Sequence, residues 1–369
     1  MIIKIFILYH RVVICMDKYI WVIVFIMVVG LIFILYTLSR RERGVFNIDE
    51  IIEANKNLKS YKVYFLGWVV EYSNISVERY YVYHDKFTWI SPTWYIVDIN
   101  GNVVEHTYIE RLVNMSRKWG VKIVPLIANK NFDPDIVHNI LRNSSLMNKT
   151  IKNIVDIVLE RNYDGINIDF EGIPAEDREY FTLFLKYLSI ELHKYNKVLT
   201  VDVPAKTYDV KEGWSGAFDY KEIGKYCDLV ILMIYDYHWS GGNPGPISPL
   251  SWFNNVLEYA LKTIPREKIV AGIPFYGYDW PISGRGRGVT YSQALKLAEK
   301  YGCKIFFDKD SGEAYFKYSY RFEHHEVWFN IAKSSELRIK SALEKGIDKI
   351  AAWRIGQEDP ETWKVIEKP

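Results

Sequence analysis

The chain has 369 residues, 49% hydrophobic and 25% charged, enough to bury one large core or two smaller ones and too apolar for a disordered protein. The formal net charge is +2; residues 1–43 contribute +4 and the remainder −2, so the larger part lacks the basic excess of a nucleic-acid binder. Cys15, Cys227 and Cys303 lie far apart without CxxC or Cys/His pairing, and neither a zinc site nor a disulfide framework is suggested.

Tyr19 to Leu38 contains no charged residue, and twenty apolar positions at about 1.5 Å each match the thickness of a bilayer core. The region 1–43 therefore reads as an uncleaved single-pass anchor with a transmembrane helix at about 19–38, since a signal peptide would carry a shorter apolar run and a small-residue cleavage site. Lys4, Arg11 and Lys18 precede the span and Arg40, Arg41 and Arg43 follow it, which leaves orientation open by charge. A membrane-anchored protein with its catalytic part on the extracytoplasmic side is the expectation. Met16 is an alternative start, which would make Ile2 to Ile14 untranslated.

Residues 44–369 read as one catalytic domain. After a short helix at Asp49–Leu58, apolar β-rich runs alternate with helical stretches: Lys62–Val69, Thr88–Ser91, Lys122–Ile127, Gly165–Glu171, Val198–Pro204, Leu229–Tyr235, Ile269–Phe275 and Lys349–Trp353. Eight strand-helix units over roughly 250 residues fit an α/β fold of the (β/α)8 TIM barrel type, with a doubly wound open sheet as the alternative. The stretch between the seventh and eighth strands is too long for one helix. Its runs Cys303–Phe307, Ala314–Tyr320 and Glu326–Phe329 suggest a small α+β insertion at about 277–330. A helix at Glu336–Lys345, with Ser334 or Ser335 as N-cap and Gly346 as stop, returns the chain to the barrel.

The fourth run, Asp164-Gly165-Ile166-Asn167-Ile168-Asp169-Phe170-Glu171, sets Asn167, Asp169 and Glu171 on one strand face and Ile166, Ile168 and Phe170 on the other. Asp164 is out of phase and suits fixing the strand-loop geometry. Same-face positions lie about 6.6 Å apart, so one carboxylate can hold its neighbour protonated. A protonated glutamate near neutral pH is the general acid that glycosidic bond cleavage requires. The same acids would also cap the following helix, or hold a divalent cation through oxygen, although the intervening Ile and Phe and the lack of an oxygen-rich loop disfavour metal. Carboxyl ends of barrel strands carry chemistry, and Tyr235-Asp236 and Trp353 fall at two more of them. His238, His324 and His325 lack companion ligands at metal spacing. Arg285 and Arg287, set between glycines in Ser283–Gly288, would bind an anionic or N-acetylated polymer or form a solvated loop.

The run Asp164–Glu171 resembles the DxxDxDxE signature of glycoside hydrolase family 18, Met233-Ile234-Tyr235-Asp236 is similar to that family's MxYD motif, and Trp353 matches the tryptophan ending its eighth strand. Asn167 in place of the middle aspartate, Ser91-Pro92-Thr93-Trp94-Tyr95 and His325–Phe329 are similar to the spore-cortex lytic N-acetylglucosaminidase branch. The resemblance covers roughly Lys62 to Trp363. The LysM repeats common in that branch are absent and the apolar N-terminal segment stands in their place, so a spore-cortex role is not implied. The resemblance implies a retaining, substrate-assisted hydrolysis of β-linked N-acetylglucosamine-containing glycans without cofactor or metal. Catalytic residues are then Glu171 as acid/base, Asp169 and Tyr235. Asp236, Trp353, Asn167 and Met233 bind substrate, with Trp353 flooring the central subsite and Asn167 orienting Asp169. The partner is an N-acetylated oligo- or polysaccharide and the protein a monomer. The competing reading is a catalytically silent, lectin-like carbohydrate-binding barrel, against which the retention of both Asp169 and Glu171 argues.

Overall fold

A computed structural model of the chain describes Met27, Val28, Gly30 and residues 46–369. The first barrel strand, Tyr64–Val69, pairs in parallel with the eighth, Lys349–Trp353, on one side and with the second on the other. The second and third strands are each broken in two, so that Trp89–Pro92 pairs with Lys122–Ile123 and Tyr95–Val97 with Leu126–Asn129. Pairing continues through Gly165–Asp169, Val198–Pro204, Leu229–Met233 and Ile269–Pro274 back to the eighth strand, curling the sheet round on itself. The break in the third strand falls at Pro125, which has no N–H to donate, though its carbonyl still accepts from the Asn167 N–H at 2.9 Å.

Strands covered on both faces must be apolar on both. Ile166, Ile168, Val201 and Val203 face the surrounding helices in one large core, while Leu66, Trp68, Leu126, Ile231, Val270 and Ala351 fill the barrel interior. Only toward the carboxyl ends does the interior turn polar, at Asn167, Asp169, Thr200 and Asp202, all buried.

The fourth strand ends at Asp169 and the sixth at Met233, both earlier than their apolar runs suggested, so Glu171, Tyr235 and Asp236 stand on the loops just beyond. Tyr61–Lys62 is separate from the first barrel strand and pairs with Ile366–Glu367. The returning helix spans Ala332–Glu344, four residues upstream of the expected start, because its first N–H groups find acceptors: Ala332 N–H donates to Asp359 Oδ2 at 2.9 Å.

Between the seventh and eighth strands lies a five-stranded antiparallel sheet, ordered Arg287–Thr290, Tyr276–Pro281, Glu323–Phe329, Glu313–Tyr320 and Phe306–Asp308, with a helix at Tyr291–Tyr301. Its strand Tyr276–Pro281 follows the barrel strand after one residue and continues the apolar run, which hides it from periodicity. The segment Phe46–Asn55, with its helix Asp49–Asn55, packs on this sheet's core through Phe46, Ile48, Ile51 and Ala54.

The membrane-anchored localisation expected from the N-terminal apolar run is corrected. Among the described residues no helix is long and apolar enough to cross a membrane, and the span Tyr19–Leu38 lies outside the described residues except for Met27, Val28 and Gly30.

One buried ion pair ties the insertion to the barrel. The Arg338 guanidinium on the returning helix meets Glu313 Oε1 at 2.5 Å, both side chains fully buried. Glu313 also accepts the backbone N–H groups of Ile247 at 2.8 Å and Ser248 at 2.7 Å, and so fastens the loop that follows Asp236. Burial pushes the Glu313 carboxyl upward and the Arg338 charge opposes it. Removing one partner of such a pair strands the other charge without water, so Glu313→Leu is expected to lower unfolding stability by about 3–5 kcal/mol, read as a shift in urea midpoint. A change within a few tenths of a kcal/mol would mean that the pair contributes nothing net.

Candidate active site

Asp169 closes the fourth strand facing the barrel interior, and its Oδ1 is buried without a hydrogen-bond partner. Burial, then the neighbouring Asp202 carboxylate, raises its pKa well above the usual range. Glu171 stands two residues on, where no strand pairing holds the backbone. Asn129, at the end of the third strand, takes over: its Oδ1 accepts the Glu171 N–H at 2.9 Å and its Nδ2 donates to the Glu171 carbonyl at 3.0 Å. Gly172 follows at φ +70°, turning the chain away directly after the acid. Burial, with Asp169 and Asp236 adding repulsion, pushes the Glu171 carboxyl up to about 9.

Asn167 does not hold Asp169 as expected. It lies between strands four and five, with Nδ2 donating to Asp202 Oδ2 at 2.8 Å and Oδ1 accepting from Thr200 Oγ1 at 2.6 Å. Strand register explains this, since Asn167 faces Thr200 directly and the next inward position on the fifth strand is Asp202. Asp202 is thus a member of the site that sequence reading missed. Its signal was present in Val198-Leu-Thr-Val-Asp-Val203, where Thr200 and Asp202 alternate with apolar residues as Asn167 and Asp169 do. Burial raises its pKa strongly, opposed by the Asn167 hydrogen bond.

Tyr235, Asp236 and Met233 lie opposite. Asp236 has φ +59° and its Oδ1 accepts from the hydroxyls of Tyr276 and, at 3.0 Å, Tyr278, two residues of the insertion's first strand that also went unread. Tyr235 packs edge-on to Tyr276 with ring centroids 6.2 Å apart, and its hydroxyl pKa is raised by burial first and by the surrounding acids second, so it remains a donor. Trp353 closes the eighth strand, edge-on to Trp68 at 5.7 Å.

These side chains line two joined hollows. One, of about 370 Å3, is bounded by Trp68, Tyr72, Asp169, Asp202, Trp353 and Arg354. The other, of about 770 Å3, is bounded by Trp214, Trp239, Trp252 and Arg285. Glu171, Met233, Tyr235 and Asp236 belong to both, so the acid stands at the waist of a continuous groove. All seven residues expected from the sequence converge here except Asn167, which supports the site from behind. Among the described residues no group of three or more His, Cys, Asp or Glu is arranged to hold a metal ion. Arg287 turns instead to Asp279, 3.3 Å away.

A raised carboxyl pKa makes stability depend on pH with a definite sign. Between about 4.5 and 9 the unfolded chain releases the Glu171 proton that the folded protein keeps, so the unfolded state binds fewer protons and stability falls as pH rises. Glu171→Gln abolishes that release. Its melting temperature relative to the parent is expected to rise steadily from pH 5 to pH 9; a difference that stays flat would show that Glu171 ionises as an ordinary glutamate.

Comparison with known proteins agrees with this geometry. The family model for glycosyl hydrolases family 18 matches residues 61–358. The uncharacterized glycosylase YvbX of Bacillus subtilis (strain 168) is 30% identical over 295 residues, 78% of this chain and 86% of that protein. The cortical fragment-lytic enzyme of Bacillus anthracis is 30% identical over 276 residues, 72% of this chain but only 64% of its own length. The crystal structure of the Bacillus cereus spore cortex-lytic enzyme SleL superposes with TM-score 0.77 and 28% identity, covering 83% of this chain and 74% of that one.

Proposed function

The chain belongs to glycosyl hydrolases family 18, and from that premise we propose that it cleaves β-linked N-acetylglucosamine-containing glycans with retention, using the substrate's own 2-acetamido group as nucleophile. Glycosyl hydrolysis follows from membership and from the hydrolase relatives; the sugar and the route are our reading.

The observation that carries it is Glu171, a carboxyl pushed up to about 9, held by its backbone at the waist of an aromatic-lined groove. At neutral pH it is protonated and able to donate to the leaving oxygen, and the resulting carboxylate then takes a proton from the attacking water. Asp169 would receive the acetamido N–H and balance the positive oxazolinium, and Tyr235 would donate its hydroxyl to the acetamido oxygen. Two buried acids side by side cannot both ionise cheaply, so Asp169 and Asp202 share charge as a pair, and the cationic intermediate is what draws a full negative charge onto Asp169. Asn167 fixes Asp202 for that part. Trp353, braced by Trp68, floors the sugar, and Met233 and Asp236 complete the wall.

Hydrolysis of N-acetylglucosamine oligomers and peptidoglycan fragments, with products separated by mass and the first anomer read by NMR, tests this. Glu171→Gln is expected to lower kcat by about a hundred- to ten-thousandfold, and Asp169→Asn to be comparably severe. In the parent, kcat/KM should fall as pH rises through about 9, where Glu171 loses its proton. Near-parental turnover in Glu171→Gln would sink the assignment, and saturable binding of these sugars without any product would favour the lectin-like reading.

A further inference from the structure

The insertion's sheet has an open edge. Its strand Glu313–Tyr320 is paired from Ala314 to Tyr320 with Glu323–Phe329, but the strand on its other side, Phe306–Asp308, reaches only from Glu313 to Tyr315. Cys303 Sγ, just upstream of Phe306–Asp308, donates to the Lys317 carbonyl at 3.4 Å, so that carbonyl points to the open side. By the alternation of antiparallel ladders the Lys317 N–H and both backbone groups of Ser319 point there too. Among the described residues no strand pairs with them on that side.

A hollow of about 1140 Å3 runs along this edge and shares no lining residue with the two hollows of the groove. Lys300, Lys304, Lys317 and Arg321 line it, and among the described residues no Asp or Glu does. Lys304 and Lys317 each keep one carboxylate, Glu50 at 3.0 Å and Glu326 at 2.8 Å. Lys300 and Arg321 meet none at ion-pair distance among the described residues and lie against the Tyr320 ring instead, 5.7 and 5.1 Å from its centroid, while Glu323 turns to Ser283 and His325. Arg321 and Phe322 form the hairpin tip at φ +50° and +67°, and Phe322 is fully exposed. Bulky residues seldom adopt that backbone, and a ring left in water returns nothing to the fold.

An unpaired strand edge is a template for another chain, and lysines on it keep like edges apart. A second copy would set Lys317 and Arg321 against their own equivalents, and residues 1–43 carry +4, the same sign as the hollow. A free backbone edge beside four cations and exposed rings is matched by an extended peptide bearing carboxylates. Its amides continue the ladder where Phe306–Asp308 leaves off, and its side chains alternate between the two faces. Each face offers it a cation, Lys317 on one and Lys300 over Tyr320 on the other. We propose that this edge docks an extended acidic segment of a partner protein by strand addition beside Lys317–Tyr320, apart from the glycan groove.

The probe is an end-blocked octapeptide alternating glutamate and threonine, titrated against the full chain by fluorescence anisotropy. Two companions separate charge from backbone: lysine in place of glutamate, and the glutamate peptide N-methylated throughout, which keeps the charges and removes the donors. The glutamate peptide should bind about tenfold more tightly than either, and less tightly as salt is added. Lys300→Gln/Arg321→Gln should weaken it about three- to tenfold, the range of two exposed ion pairs, with an unchanged urea midpoint. Ser319→Pro, which takes one N–H from the open edge, should weaken it as N-methylation does; should that variant unfold, the glutamine variant and the methylated peptide decide. Equal binding of methylated and unmethylated peptides, or an affinity indifferent to Lys300→Gln/Arg321→Gln, would overturn the proposal. So would capture of dextran sulfate without the glutamate peptide, which would make the hollow a polyanion surface, or binding of neither.

Discussion

Four carboxyl groups, Asp169, Glu171, Asp202 and Asp236, meet at one mouth of the barrel, and among the described residues none of them forms an ion pair with Lys, Arg or His. Like charges crowded in a dry site cannot all be present, so protons stay where water would have removed them. The rest of the site follows from that constraint. Glu171, half-buried at the groove waist, keeps a proton it can give away. Asp169 and Asp202 are left with unpaired oxygens that a cationic species would satisfy. Asn167 belongs to the same logic: an aspartate there would add a fifth acid, whereas the amide supplies a donor to Asp202 and accepts from Thr200, lowering the local charge while keeping the hydrogen bonds.

Holding such a cluster together costs stability, and the scaffold offsets it with contacts from distant parts of the chain. Asn129 grips Glu171 from the third strand by both its backbone groups. Tyr276 and Tyr278 reach Asp236 from the insertion, and Glu313, also in the insertion, fastens the loop beyond Asp236 through Ile247 and Ser248. The insertion is therefore part of the site's support as well as a wall of its groove. Its Arg285–Gly286 segment locks onto Trp239–Ser240 of the same loop, so one side of the groove is braced at both ends.

The sequence made some of this legible because strand periodicity and chemistry coincide there. Alternation in Gly165–Glu171 announced both the strand and its polar face, and the spacing of eight apolar runs announced the α/β alternation. Strand ends were misjudged at Glu171 and Tyr235, because apolar residues continue after the ladder stops and only hydrogen bonding marks the stop. Asp202 was readable from the same alternation, one strand on. The support of Asp236 by Tyr276 and Tyr278, and of the returning helix by Asp359, joins residues 27 to 42 positions apart through folds of the sheet that no local pattern encodes.

Arg285 illustrates the limit in the other direction. Between glycines it had the look of a solvated loop, and exposure alone would keep that reading. What changes it is contact across the groove wall: Nε donates to Ser240 and the guanidinium carbon lies 5.6 Å from the Trp239 ring centroid, pairings with residues about 45 positions away that the glycines around Arg285 do not encode.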